Sequence, residues 1–134
     1  MILVDADVIL DVALDRTPWV AASGALLARL ERGPVRGFVA WHTLSNLFYL
    51  LRPARGGGDA RDFLVALTGF LRVAPTDTDA FRLAAGLPLK DLEDAMQAAA
   101  AGACGARWIA TRNGKDYEGS PVPARTPQEL LALL

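Results

Sequence analysis

The chain has 134 residues, 52% of them hydrophobic and 22% charged, with a formal net charge of −1. This composition excludes a disordered chain, and no uncharged apolar run approaches the ~18 residues of a membrane span, so one globular domain over residues 1–134 without a membrane partner is expected. The charge excludes a protein that coats nucleic acid through bulk positive potential, leaving only local recognition of phosphate.

Met1 leads at once into the apolar run Ile2-Leu3-Val4, which stops at Asp5. Such a run reads as a central parallel strand, and the C-terminal ends of these strands line the ligand crevice of open α/β sheets. A basic leader and a small-residue cleavage site are missing before it, and the single cysteine, Cys104, has no internal partner, so a reducing, cytoplasmic setting is expected. Residues 7–14 form a short helix with Val8, Ile9 and Val12 as its stripe. Thr17-Pro18 offers an N-cap and a proline at the first helical position for a helix carrying Val20, Leu26, Leu27 and Leu30 and ending before Gly33-Pro34.

Residues 36–40 form a second strand. Leu44, Leu47, Phe48 and Leu51 then give an amphipathic helix over 41–52, closed by Pro53. Gly56, Gly57 and Gly58 make a flexible turn, and Asp59 caps a helix burying Phe63, Leu64 and Leu67 that stops near Gly69. Residues 71–74 form a third strand and 76–85 a short helix. Residues 91–104 are so rich in alanine that their helix must lie close against its neighbours. Residues 108–111 make a fourth strand, and Thr126-Pro127-Gln128-Glu129 is a capping box that opens a leucine-rich terminal helix. Strands alternating with helices require a mostly parallel sheet of about four or five strands, covered by helices on both faces.

Asp5 ends the first strand, Asp116 follows the fourth, and Asp91 and Asp94 lie three apart at the start of the alanine-rich helix, on one face, while Glu93 turns elsewhere. Asp91 also suits a plain N-cap with Asp94 as its third-position partner. Oxygen donors without a second histidine or cysteine nearby favour Mg²⁺ or Mn²⁺ over zinc. The only histidine, His42, is expected to be structural or solvent-facing. Without a Ser-His-Asp or Cys-His set, covalent acyl chemistry has no machinery.

The segments Val4-Asp5-Ala6-Asp7-Val8-Ile9-Leu10-Asp11, Leu44-Ser45-Asn46-Leu47-Phe48-Tyr49-Leu50-Leu51-Arg52, Asp91-Leu92-Glu93-Asp94-Ala95-Met96-Gln97-Ala98 and Thr111-Arg112-Asn113-Gly114-Lys115-Asp116-Tyr117 together resemble, in order, the four signature blocks of PIN-domain ribonucleases, and the length resembles that of the VapC-type toxins among them. The resemblance implies a PIN-like fold, hydrolysis of RNA phosphodiester bonds with Mg²⁺ or Mn²⁺, Asp5, Asp94 and Asp116 as metal ligands, Asp91 and Asn46 at the pocket edge, and Thr111 at the site hydroxyl. Asn46 stands where many members have Glu and Asn113 where many have Asp, which bears on whether a second metal binds. The resemblance further implies a small antitoxin, met by apolar faces on the helices at 41–52 and 59–70, and a homodimer. Those faces also suit mere cover for the sheet or a dimer contact.

Two other readings compete. Asp5-x-Asp7 after an apolar strand also resembles phosphatases that form an aspartyl-phosphate, with Lys90 ahead of the later acids, although the chain is short and the remaining order differs. Alternatively, the two asparagines have emptied the metal site and left a scaffold that holds RNA or a partner.

Overall fold

The computed structural model describes residues 1–134. Five short strands, β1 (Ile2–Val4), β2 (Gly37–Val39), β3 (Leu71–Val73), β4 (Trp108–Ala110) and β5 (Ala124–Arg125), pair in the order β3-β2-β1-β4-β5. All four pairings are parallel. The sheet is the parallel one expected, with β1 at its centre. Because side chains alternate across a strand, Ile2 and Val4 enter one core and Leu3 the other.

The larger core is closed by α1 (Ala6–Ala13), α2 (Val20–Arg32), α3 (Trp41–Arg55), α4 (Gly57–Leu67) and α7 (Pro127–Leu133), through residues such as Val8, Leu26, Leu47 and Leu130. On the other face α6 (Leu92–Ala103) sets Ala98, Ala100 and Ala101 against Leu3, Phe38 and Ile109. Alanine there permits close approach, as its composition predicts. The remaining helix, α5 (Thr78–Gly86), packs on α6. Gly37 permits a second close approach: a Cβ there would collide with Leu71 Cδ2 and lie 2.9 Å from Leu30 Cδ1.

Several element ends differ from the expectation. Val20 N–H donates to Arg16 O, so a turn leads into α2; its cap is Trp19, and no side chain caps it, Thr17 included. The Arg112 guanidinium stacks on Trp19 at this helix start, 4.0 Å from the ring centroid. Pro53 does not close α3. Its missing N–H forgoes the bond to the Tyr49 carbonyl, yet the helix runs on to Arg55 and closes at Gly56, whose φ is 79°. Gly57 and Gly58 then belong to α4 rather than to a flexible turn. Asp59 is inside that helix, paired with Arg55 at 2.8 Å instead of capping it, and of α4 only Ala60 and Leu67 are fully buried. Thr126 caps α7 as expected, accepting from Glu129 N–H at 3.2 Å. The chain contains no helix long and apolar enough to cross a membrane.

Candidate functional site

Parallel pairing brings the ends of β1 and β4 side by side, and each runs straight into a polar segment. Asp5 is the N-cap of α1. Its Oδ1 accepts from Ala6 N–H at 2.7 Å and from Gln97 Nε2 at 2.9 Å, and its Oδ2 from the Tyr117 hydroxyl at 2.9 Å. Asp91 caps α6, accepting from Glu93 N–H and Asp94 N–H at 2.7 and 3.2 Å. Asp91, Asp94 and Asp116, with Lys90 and Lys115, line an open cleft of about 440 Å³.

The electrostatics show that these acids share one neighbourhood. Asp94 has its carboxyl pushed up to about 6, first by burial and then by the charges of Asp91, Asp5, Asp116 and Glu93. No ion pair relieves them: the three salt bridges of the chain are Arg55–Asp59, Arg112–Asp11 and Arg125–Glu129. No three acidic, histidine or cysteine side chains stand close enough together to make a ready-made coordination set. Asp5, Asp94 and Asp116 were expected within metal-bridging reach of one another; Asp5 and Asp116 both act on the Asp94 charge, but the three do not close into a ligand shell. Unrelieved negative charge on oxygen donors is what a hard divalent cation would neutralise, so the residues fit Mg²⁺ or Mn²⁺ in charge and chemistry.

The other predicted positions lie around this cluster. Asn46 reaches from α3 to α6, donating from Nδ2 to Glu93 Oε1 at 2.9 Å, so Glu93 turns from the Asp91–Asp94 face toward Asn46. Thr111 is fully buried, and its hydroxyl is committed inside a turn, donating to Asp7 Oδ2 at 3.1 Å and accepting from Asn113 N–H at 3.1 Å. His42 is half-buried, and burial drives it toward the neutral imidazole against the charges of Glu93 and Asp5.

Four contributors escape a reading by residue type. Asp7 Oδ2 accepts not only from Thr111 but from Arg112 N–H at 2.9 Å and Asn113 Nδ2 at 3.0 Å, fastening the segment after β4 to α1. Burial, then the charge of Asp5, lifts the Asp7 carboxyl to about 6. Arg112 grips fully buried Asp11 through Nε–Oδ2 at 2.9 Å and Nη2–Oδ1 at 3.1 Å, and Ser23 Oγ donates to the same Oδ2 at 3.0 Å. Gln97 and Tyr117 are the two side-chain donors to Asp5. Their signal was present: Gln97 is the only large polar residue within the alanine run, three positions after Asp94, and Tyr117 follows Asp116 directly. Burial holds the Tyr117 phenol far above the usual tyrosine range, with the Asp5 charge adding to it, so it stays a donor.

A family model described as "PIN domain" matches residues 1–115. The chain belongs to the PIN domain family. Solved structures agree on the fold of this PIN domain. A toxin–antitoxin complex from Klebsiella pneumoniae superposes with a TM-score of 0.72 at 21% identity, covering 95% of this chain and 98% of that one. VapC20 of Mycobacterium tuberculosis, described as a sarcin–ricin loop cleaving toxin, gives 0.72 at 18% identity over 91% and 96%. FitAcB from Neisseria gonorrhoeae gives 0.70 at 16% identity over 96% and 99%. No curated protein matches the sequence significantly.

Proposed function

We propose that this PIN domain is a Mg²⁺- or Mn²⁺-dependent ribonuclease that hydrolyses RNA phosphodiester bonds, acting as the toxin of a type II toxin–antitoxin pair. One observation carries the reading: the Asp94 carboxyl, at the C-terminal edge of a parallel sheet, is lifted to about 6 by burial and by surrounding acids that no cation pairs with. Asp5, Asp94 and Asp116 would hold the ion. When bound, such an ion supplies an acidified water as nucleophile and offsets charge on the phosphate oxygens.

The chain's own residues do the rest. The Asp91 cap fixes the first turn of α6 and with it the Asp94 backbone. Lys90 and Lys115, on the rim of the same cleft, offer cations to the RNA backbone. The Asn46–Glu93 bond ties α3 to α6 beside the acids. Thr111 acts on the site indirectly, through the turn that carries Asp116.

The phosphatase alternative needs Asp7 to present a proton to substrate, whereas three hydrogen bonds converge on its Oδ2 and its Oδ1 is buried away from the surface. The scaffold alternative takes Asn46 and Asn113 as vacancies. Each amide is engaged with a carboxylate, Glu93 and Asp7 respectively, where an acid would repel its neighbour.

The toxin assignment draws on what the similar structures are described as: a toxin–antitoxin complex and a sarcin–ricin loop cleaving toxin. A small antitoxin is accordingly the expected partner, and a homodimer the expected assembly. Exposed Tyr49, Leu50 and Val65 on α3 and α4 supply an apolar surface suited to the antitoxin. The test is incubation of end-labelled RNA with the purified chain, with Mg²⁺ or Mn²⁺ and with chelator. Internal cuts that need the ion and vanish with chelator support the reading. Ion-independent cutting, or release of inorganic phosphate from monoesters with a trapped aspartyl-phosphate, overturns it.

A further inference from the structure

Of the three carboxylates fixed by side chains next to the same strands, Asp7 is held through Oδ2 alone, its Oδ1 buried without a partner, whereas Asp5 and Asp11 are held on both oxygens, and the difference between these two is informative. Fully buried Asp11 is held by the guanidinium of Arg112 on both oxygens, which cancels its charge. Asp5 is held as firmly by neutral donors alone, one from each of three elements: Ala6 N–H at the start of α1, Gln97 Nε2 from α6, and the Tyr117 hydroxyl from the 3₁₀ turn Gly114–Tyr117. Its orientation is fixed while its negative charge is left for something else to neutralise.

Gln97 is costly to the fold. It is 1% exposed, on a helix whose other buried residues are all alanines, and its Oε1 has no hydrogen-bond partner. An unmet buried acceptor carries a desolvation cost that an apolar side chain of the same length would avoid. Folding alone therefore favours methionine at this position. What the glutamine provides in return is the donor to Asp5 Oδ1. Tyr117, 4% exposed, could likewise fill its place in the core as phenylalanine, and its hydroxyl serves only Asp5 Oδ2.

We propose that Gln97 and Tyr117 are positioning residues that clamp the Asp5 carboxylate in one orientation to receive a divalent cation. This rests on the metal-dependent reading above. Groups that hydrogen-bond metal ligands set the ligands' orientation, and their loss weakens metal binding even where the ligands themselves remain.

The test uses the full chain with Gln97→Met, Tyr117→Phe and both together. Mn²⁺ affinity is measured by calorimetric titration and thermal midpoints with Mn²⁺ or chelator. The expected result is that Gln97→Met leaves the metal-free midpoint unchanged or higher, while its Mn²⁺ affinity falls about 10- to 100-fold. Tyr117→Phe weakens Mn²⁺ in the same direction, and the pair does so more than either alone. If wild type binds Mn²⁺ and both single variants bind it equally well, the positioning role is overturned and the metal site stands. A metal-free Gln97→Met that is destabilised but keeps its affinity also overturns it, since the glutamine is then a structural residue. If wild type binds no Mn²⁺, the metal-dependent reading fails and the clamp with it.

Discussion

Arg112→Ala should unfold this protein more readily than any loss of a surface ion pair would. Asp11 has no exposed side-chain surface, and Arg112 meets it through two charge-assisted bonds of 2.9 and 3.1 Å while being itself only 20% exposed. Truncation leaves a buried carboxylate with only the Ser23 hydroxyl, which costs about 3–5 kcal/mol. Loss of the guanidinium from the Trp19 ring, 4.0 Å away, adds about 0.5–2 kcal/mol to this. Urea denaturation monitored by tryptophan fluorescence and by far-ultraviolet circular dichroism gives the number. The double variant Arg112→Met/Asp11→Leu should recover most of the loss, because no charge is then buried. A loss below about 1 kcal/mol for Arg112→Ala, the range of exposed pairs, would refute the reasoning.

Three further outcomes follow from the same contacts. The Asp7 and Asp94 carboxyls are both raised to about 6, so the folded, metal-free protein holds those protons more tightly than the unfolded chain; this contribution is present below about pH 4 and is lost as pH rises through 6. From Asp7 alone the metal-free protein should be about 1 kcal/mol more stable at pH 5 than at pH 7, and a denaturation series showing the opposite trend would contradict the assignment. Asp7→Ala removes the acceptor of three hydrogen bonds and should cost about 2–3 kcal/mol, whereas Asp7→Asn keeps an acceptor and should cost less; equal losses in thermal denaturation would argue against the bracing role. Gly37→Ala drives a Cβ into Leu71 and Leu30 at the β2–β3 pairing and should cost about 1–3 kcal/mol by the same assay, an unchanged midpoint being the contrary result.

The centre of the sheet was legible because β1 and β4 are short apolar runs with a polar break directly behind each, Asp5 and Thr111-Arg112. The fifth strand was not separately legible, since Ala124-Arg125 is two residues long and carries no alternation. Helix ends were the least legible part. Thr17-Pro18 has cap chemistry, but a turn from Arg16 to Val20 leads into α2 and no side chain caps it. Pro53 is a breaker by type, yet α3 continues past it to Arg55.

In the site, acids at strand ends and at a helix start were readable, and Asp91 proved to be the N-cap that its residue type allowed. The braces were not readable. Nothing in the local sequence says that Asp7 reaches across to Asn113, or that Asp11 meets Arg112, about a hundred positions away, because those contacts are made by β1 and β4 lying side by side.

The most direct measurement sets Asp94→Asn beside wild type, prepared identically, for RNA cleavage and for stability with and without Mn²⁺. An amide at this position removes one charge from a crowded cluster while keeping its shape. The account predicts that cleavage and stabilisation by Mn²⁺ are both lost, while the metal-free variant is at least as stable as wild type at pH 7. Retained Mn²⁺-dependent cleavage by the variant would contradict the assignment of this cluster as the metal-binding site.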